Sequence, residues 1–185
     1  MFSRELRQIN RNNKFLAPPF IEDVTLSPNS NAIVVGKNQT IVNCISDQIL
    51  RAQAYLGNIY PSKATQQQKE IIIQTTKKVG NYLSQEGFRG IFGLDFIIDK
   101  KGKIYVTDLN PRRQGGYLCH ILAAGHNNID LIDLELKIYL KKKIPLLKYN
   151  DFQVDFVWTH SKIKPYRGGQ KIIRNFLENS QPNRT

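Results

Sequence analysis

The chain is short of several things, and each shortage excludes something. Only Cys44 and Cys119 are cysteines in 185 residues. They lie far apart, match no metal-binding spacing and are too few for a disulfide scaffold. Both are expected as buried thiols in a reducing cytoplasm. No run of about 18 apolar residues occurs, so no membrane span is expected. Met1 to Lys14 carries charges but no apolar core, so no secretory signal is expected either. The Walker-type phosphate loop and the GxGxxG turn are both missing. His120, His126 and His160 show no ligand spacing, which suits surface or packing roles. Ser27 to Ser30, reading S-P-N-S, is expected to be a turn and not to supply a nucleophile, since chain order identifies no histidine or acidic partner.

Negative charge is scarce as well. Fifteen acidic residues face 27 basic ones, a net charge of +12. That balance favours anionic partners: nucleotides, phosphorylated substrates, nucleic acid or acidic membrane. Lys141 to Lys143 form one basic cluster, and Lys162, Lys164, Arg167 and Lys171 another. No nucleic-acid motif accompanies them, so a solvated basic surface is favoured over an RNA site.

What remains is apolar enough for a globular fold, at 41% hydrophobic and 10% aromatic, and long enough for one domain with a real core. Phe15 to Val24 reads as a strand broken at Pro18-Pro19. Asn31 to Gly36 and Gln39 to Ile45 read as a hairpin turning at Lys37-Asn38. Asp47 to Tyr60 reads as mostly loop. Pro61 to Gln85 reads as a helix with its start signal at Ser62. Ile72, Val79 and Leu83 keep its apolar spacing, and Gly87 stops it. Asn128 to Lys142 reads as a second helix capped by Asn128, with Ile129, Ile132, Leu136 and Leu140 facing the core. Phe152 to Thr159, with the single Trp158, reads as a strand. Gly168-Gly169 precedes a last short helix through Leu177, and Asn179 to Thr185 is a polar tail. Strands and helices mix without a βαβ rhythm. That points to an α+β fold, an antiparallel sheet with flanking helices.

Asp95 to Arg113, D-F-I-I-D-K-K-G-K-I-Y-V-T-D-L-N-P-R-R, carries the chemistry. Phe92 to Ile98 and Ile104 to Leu109 are β-rich, and Lys100 to Gly102 supply a turn, so this is a hairpin. Asp108 and Asn110 share a face because side chains alternate along a strand. A loop of even length would set Asp95 opposite Asp108. Two facing carboxylates repel unless a cation sits between them, and a hard cation such as Mg²⁺ is the natural occupant.

With spacings of thirteen and then two, Asp95, Asp108 and Asn110-Pro111-Arg112 resemble the metal-binding signature of the ATP-grasp superfamily. Gly87 to Phe96 also resembles that family's run into its first ligand. The resemblance covers about residues 14–145, the C-terminal half of an ATP-grasp fold, with 146–185 as an extension of a single lobe spanning 1–185. It implies that Asp95, Asp108 and Asn110 bind Mg²⁺, or Mn²⁺, bridging ATP phosphates. Arg112 would be catalytic, meeting the transferred phosphoryl group or an acyl phosphate. Arg113, Gly115 and Gly116 would form a flexible loop against the substrate. The implied activity is a carboxylate–amine or carboxylate–thiol ligase using ATP.

By the same resemblance the N-terminal lid lobe is absent. The hinge falls near Leu16 to Pro19, where proline offers neither N–H nor carboxylate, and Glu22 or Asp23 would stand in. A partner chain supplying the other lobe, or a homo-oligomer, is therefore expected to cover an apolar cleft wall of Ile91, Ile97, Ile104 and Val106. The alternative is a non-catalytic basic module that binds RNA or protein on a degenerate scaffold of this kind.

Overall fold

The computed structural model describes residues 20–51, 54–126, 128, 130–140 and 158–161. They form one antiparallel sheet: β1 (Val24–Leu26), β2 (Pro28–Gly36), β3 (Gln39–Arg51), β4 (Ala54–Tyr60), β5 (Gly90–Asp99), β6 (Ile104–Asn110) and β7 (Trp158–Ser161). Three helices flank it: α1 (Gln66–Gln85), α2 (Tyr117–His126) and α3 (Leu131–Tyr139). The order is β1-β5-β2-β3-β4-β7, with β6 on the remaining side of β5. Leu26 pairs with Ile98 and Asn29 with Asp95, so β1 and β2 continue one register along β5. The expected α+β class is the observed one.

Alternation sorts the strands onto two cores. Val34, Val42, Ile45, Phe92, Leu94 and Phe96 pack with Ile72 and Ile73 of α1. On the opposite face Ile33, Cys44 and Ile91 pack with Cys119 of α2 and with Leu131, Leu134 and Ile138 of α3. Both cysteines are buried, as expected. Gly80 lets α1 lie close to the sheet, since a Cβ there would sit 2.4 Å from Thr40 Cγ2.

Helix α1 starts later than the Ser62 signal suggests. Thr65 is its N-cap, in a capping box where Gln68 N–H donates to Thr65 Oγ1 and Thr65 N–H donates to Gln68 Oε1. Ser62 instead donates to buried Asp47 at 2.6 Å. The stop at Gly87 holds: its φ is +85°, Phe88 N–H bonds Leu83 O, and Gly87 N–H bonds Ser84 O.

Other expectations are corrected. Ser27 to Ser30 is not a turn, because β2 begins at Pro28 and buries Asn29 and Ser30. The described part of Asp47 to Tyr60 is not loop: residues 47–51 end β3 and Ala54–Tyr60 is β4, whose Gly57 and Asn58 imitate a turn signal in mid-strand. In α3 the cap is Asp130, which accepts from Ile132 N and Asp133 N at 2.9 Å each. Ile132, Leu136 and Leu140 are exposed, and Leu131, Leu134 and Ile138 are buried instead. This helix is apolar on two adjacent stripes, so periodicity alone does not choose its face. The strand expected at Phe152 to Thr159 is described only as β7, which begins at Trp158. Of the strand expected over Phe15 to Val24, residues 20–23 are not strand and β1 begins only at Val24. Residues 15–19 with the Pro18-Pro19 break, Ile129, the basic clusters, the helix through Leu177 and the tail lie outside the described residues, as do the side chains of His126 and His160.

Candidate metal and nucleotide site

Hairpin β5–β6 reaches the expected pairing by an unexpected route. Ile98 pairs with Ile104, and Asp99 N–H bonds Lys103 O, leaving Lys100, Lys101 and Gly102 as the loop. Gly102 takes φ +78° there. A loop of odd length would by itself set Thr107 opposite Asp95. A bulge shifts the register between Asp95 and Phe96, so Asp95 pairs with Asp108 and Gly93 with Asn110. The same bulge reverses the faces along β6. Ile104 and Val106 pair with Ile98 and Phe96 on the α1 side, and Ile91 is buried under α2 and α3. The apolar cleft wall expected from those residues therefore does not exist as one surface.

The register extends the site across the sheet. Asp108 faces Asp95, Asp95 faces Asn29, and Asn29 faces Ser46, making one polar rung over β6, β5, β2 and β3. Asn110 Nδ2 touches both carboxylates, at 2.9 Å from Asp108 Oδ2 and 3.4 Å from Asp95 Oδ2. Gln48 Nε2 and Gln114 Nε2 both donate to Asp95 Oδ1, at 2.7 and 3.1 Å. Burial, then the Asp108 charge, pushes Asp95 up to about 6, against the opposing pull of the two glutamines and Arg112. The cleft so formed holds about 270 Å³ and is lined by Asn29, Gln48, Tyr55, Asp95, Asp108, Asn110, Arg112, Gln114, Gly115 and Gly116.

The loop after β6 divides its labour. Arg112 stays at the cleft, donating to Asn110 Oδ1 at 2.8 Å and to Arg113 O at 3.1 Å. Arg113 turns away: it pairs with the buried carboxylate of Glu135 on α3 and lies 5.5 Å over the Tyr117 ring. It does not line the cleft. Gly115 and Gly116 do, because only glycine fits: a Cβ would come 2.5 Å from Tyr55 Oη and 2.8 Å from Asn58. Gly93 likewise makes room for Gln114, at 2.2 Å.

Behind the rung lies a buried network that sequence reasoning missed. Ser46 Oγ donates to Asn29 Oδ1 at 2.5 Å. Asn58 Nδ2 donates to Asn29 Oδ1 and Ser46 Oγ, at 3.0 and 2.9 Å. Tyr55 donates to Asn58 Oδ1 at 2.5 Å, and Asn29 Nδ2 to Gln114 Oε1 at 3.0 Å. With the Ser46 proton on Asn29, the 3.1 Å contact between Ser46 Oγ and His120 Nε2 fits an imidazole protonated at Nε2. Nδ1 is left bare and without a partner, and burial pulls His120 down to about 3. The signal for Asn29, Gln48, Ser46 and Asn58 was their place in strands. It could be found only once Asp47 to Tyr60 was known to be two strands.

The donor set suits a hard cation. It offers two opposed carboxylates plus the Asn110 carboxamide oxygen now held by Arg112. Among the described residues no group of three or more His, Cys, Asp and Glu forms a closed cage, so an ion here would complete its shell from amide, water or phosphate oxygens.

An antiparallel α+β sheet with a carboxylate–carboxamide cleft at its hairpin defines the class. The model of the ATP-grasp domain family matches residues 2–116, more than half of the chain, and the protein belongs to that family. The L-propargylglycine–L-glutamate ligase of Streptantibioticus cattleyicolor is 27% identical over 114 residues, which are 62% of this chain and 22% of that enzyme. Among solved structures, a biotin carboxylase–ATP complex from Campylobacter jejuni aligns with TM-score 0.56 and 17% identity, covering 68% of this chain and 27% of that one. The biotin carboxylase domain of a thermophilic 2-oxoglutarate carboxylase, bound to bicarbonate, aligns with TM-score 0.57 and 21% identity, covering 69% and 28%. The chain therefore spans less than a third of each of these relatives. No helix among the described residues is long and apolar enough to cross a membrane.

Proposed function

We propose that this chain forms the metal-binding half of an ATP- and Mg²⁺-dependent ligase that joins a small carboxylate to an amine or thiol through an acyl phosphate. The observation that carries this reading is the opposition of Asp95 and Asp108, with one Asn110 amide touching both. Asp95, Asp108 and Asn110 would hold the ion, Mg²⁺ or Mn²⁺, which when bound neutralises phosphate charge. Arg112, exposed beside Asn110, would meet negative charge on a phosphoryl group or on the carboxylate being activated. Gly115 and Gly116 keep the cleft open for the acceptor. Arg113, tied to Glu135, holds the loop to α3. Family membership and the named ligase relative support the same chemistry, and the buried thiols Cys44 and Cys119 suit a cytoplasmic setting.

The test is Mn²⁺ binding followed by electron paramagnetic resonance, with and without ATP. Wild type should bind, ATP should tighten binding, and Asp108→Asn should weaken it at least tenfold while the fold stays intact. Equal Mn²⁺ binding by wild type and Asp108→Asn would overturn the reading. RNA retained by a chain that binds no metal would point to the non-catalytic module instead.

A further inference from the structure

Gln48 plays no part in the resemblance that identified the metal residues, yet it makes the shortest bond to one of them. It comes from β3, across β2 from the hairpin. Its own backbone is fixed, with its N–H on Ser27 O at 2.8 Å and its pairing to Asn58. From there Nε2 reaches Asp95 Oδ1 at 2.7 Å. Gln114 Nε2 arrives at the same oxygen from the loop after β6, at 3.1 Å. A carboxylate oxygen has about two lone-pair sites, so both on Oδ1 are taken. Oδ2 meets Asn110 Nδ2 at 3.4 Å, the longest contact in the cluster, and the same Nδ2 touches Asp108 Oδ2 at 2.9 Å.

We infer that Gln48 is a positioning residue that makes Asp95 a one-oxygen ligand and thereby tunes the site toward Mg²⁺ and against Ca²⁺. The inference rests on the metal reading proposed above. Mg²⁺ demands a small octahedral shell and takes carboxylates one oxygen at a time. Ca²⁺ takes six to eight oxygens and readily accepts a carboxylate through both. Two glutamine donors on Oδ1 withhold the second oxygen, which costs Ca²⁺ more than Mg²⁺. Gln48 is the decisive donor of the two. It makes the shorter bond, from a strand whose backbone is paired, whereas Gln114 sits on the loop after β6.

The test displaces Mn²⁺ from the full chain with Mg²⁺ or with Ca²⁺ at pH 8. Gln48→Met keeps the length of the side chain and removes the donor. The preference for Mg²⁺ over Ca²⁺ should fall about tenfold, chiefly through tighter Ca²⁺ binding. Gln48→Glu is the second variant: a third carboxylate should tighten both ions, Ca²⁺ the more. Circular dichroism and thermal melting confirm that each variant folds. If Gln48→Met weakens both ions equally, or changes neither, Gln48 is only a packing group and the inference falls while the metal reading stands. If wild type binds no Mn²⁺, both fall together.

Discussion

The same strands make both faces of this sheet, and alternate residues send them different chemistry. Under α1 the face is aliphatic and aromatic, and its buried Ser30–Thr76 hydroxyl pair is mutually bonded at 2.7 Å. Under α2, and toward the cleft, the strands bury Asn29, Asn31, Ser46 and Asn58, each 2% exposed or less. Burying a polar group is costly unless it is hydrogen-bonded. Most of these groups are bonded to one another, but Asn31 Oδ1, His120 Nδ1 and Tyr117 Oη are left without partners. Both faces bury an apolar core, but only the face under α2 and α3 also carries a polar rung that ends on two carboxylates, with some of its buried polar atoms unpaired.

The largest effect should come from the α1 face. Phe92 is fully buried there, between α1 and the strands. Phe92→Ala should cost about 3–5 kcal/mol in urea unfolding, the usual range for an aromatic removed from a tight core. A cost under about 1 kcal/mol would show that this core is not tightly packed around Phe92.

That contrast explains what could be read from the sequence. The apolar face was legible: Ile72 and the Gly87 stop gave α1, and the β-branched runs gave the β2–β3 and β5–β6 hairpins. The candidate metal residues were legible because their spacing is fixed along two adjacent strands. The polar face was not. Ser46 and Asn58 of that face, with Asp47 and Gly57 beside them in sequence, are residues that local propensity assigns to loops, and only long-range pairing makes them strand. The bulge at the hairpin was invisible for the same reason. It corrects an odd loop, and it sends Ile104 and Val106 to the face opposite the one their parity suggested.

The second effect uses acidity to strain the polar face. His120 is held near a pKa of 3 by burial, against about 6.5 in the unfolded chain. A depressed folded pKa gives stability that is present above the unfolded value and is lost as pH falls. Between pH 6.5 and 3 this one group should remove up to about 1.4 kcal/mol per pH unit. His120→Asn should flatten that acid limb in unfolding free energy measured pH by pH. An unchanged slope would mean that the imidazole already finds a partner for its second proton.

The smallest effect has the opposite sign and separates function from stability at one atom pair. Asp95 is raised to about 6 by burial and by Asp108. A raised carboxylate pKa gives stability that is complete below the unfolded value, near 3.9, and is lost as pH rises through 6. At pH 7 the Asp95 charge therefore weighs against the fold. Asp95 is half-buried, so the shift must be discounted for solvent screening, leaving about 1 kcal/mol. Asp95→Asn keeps the shape, removes the repulsion from Asp108 and leaves an amide oxygen to accept from Gln48 and Gln114. It should raise stability at pH 7 by about that amount, gain nothing at pH 3.5, and lose Mn²⁺ binding. A variant that is destabilised at pH 7 would show that the ionised carboxylate helps hold the polar rung, and that the two faces differ less than their composition suggests.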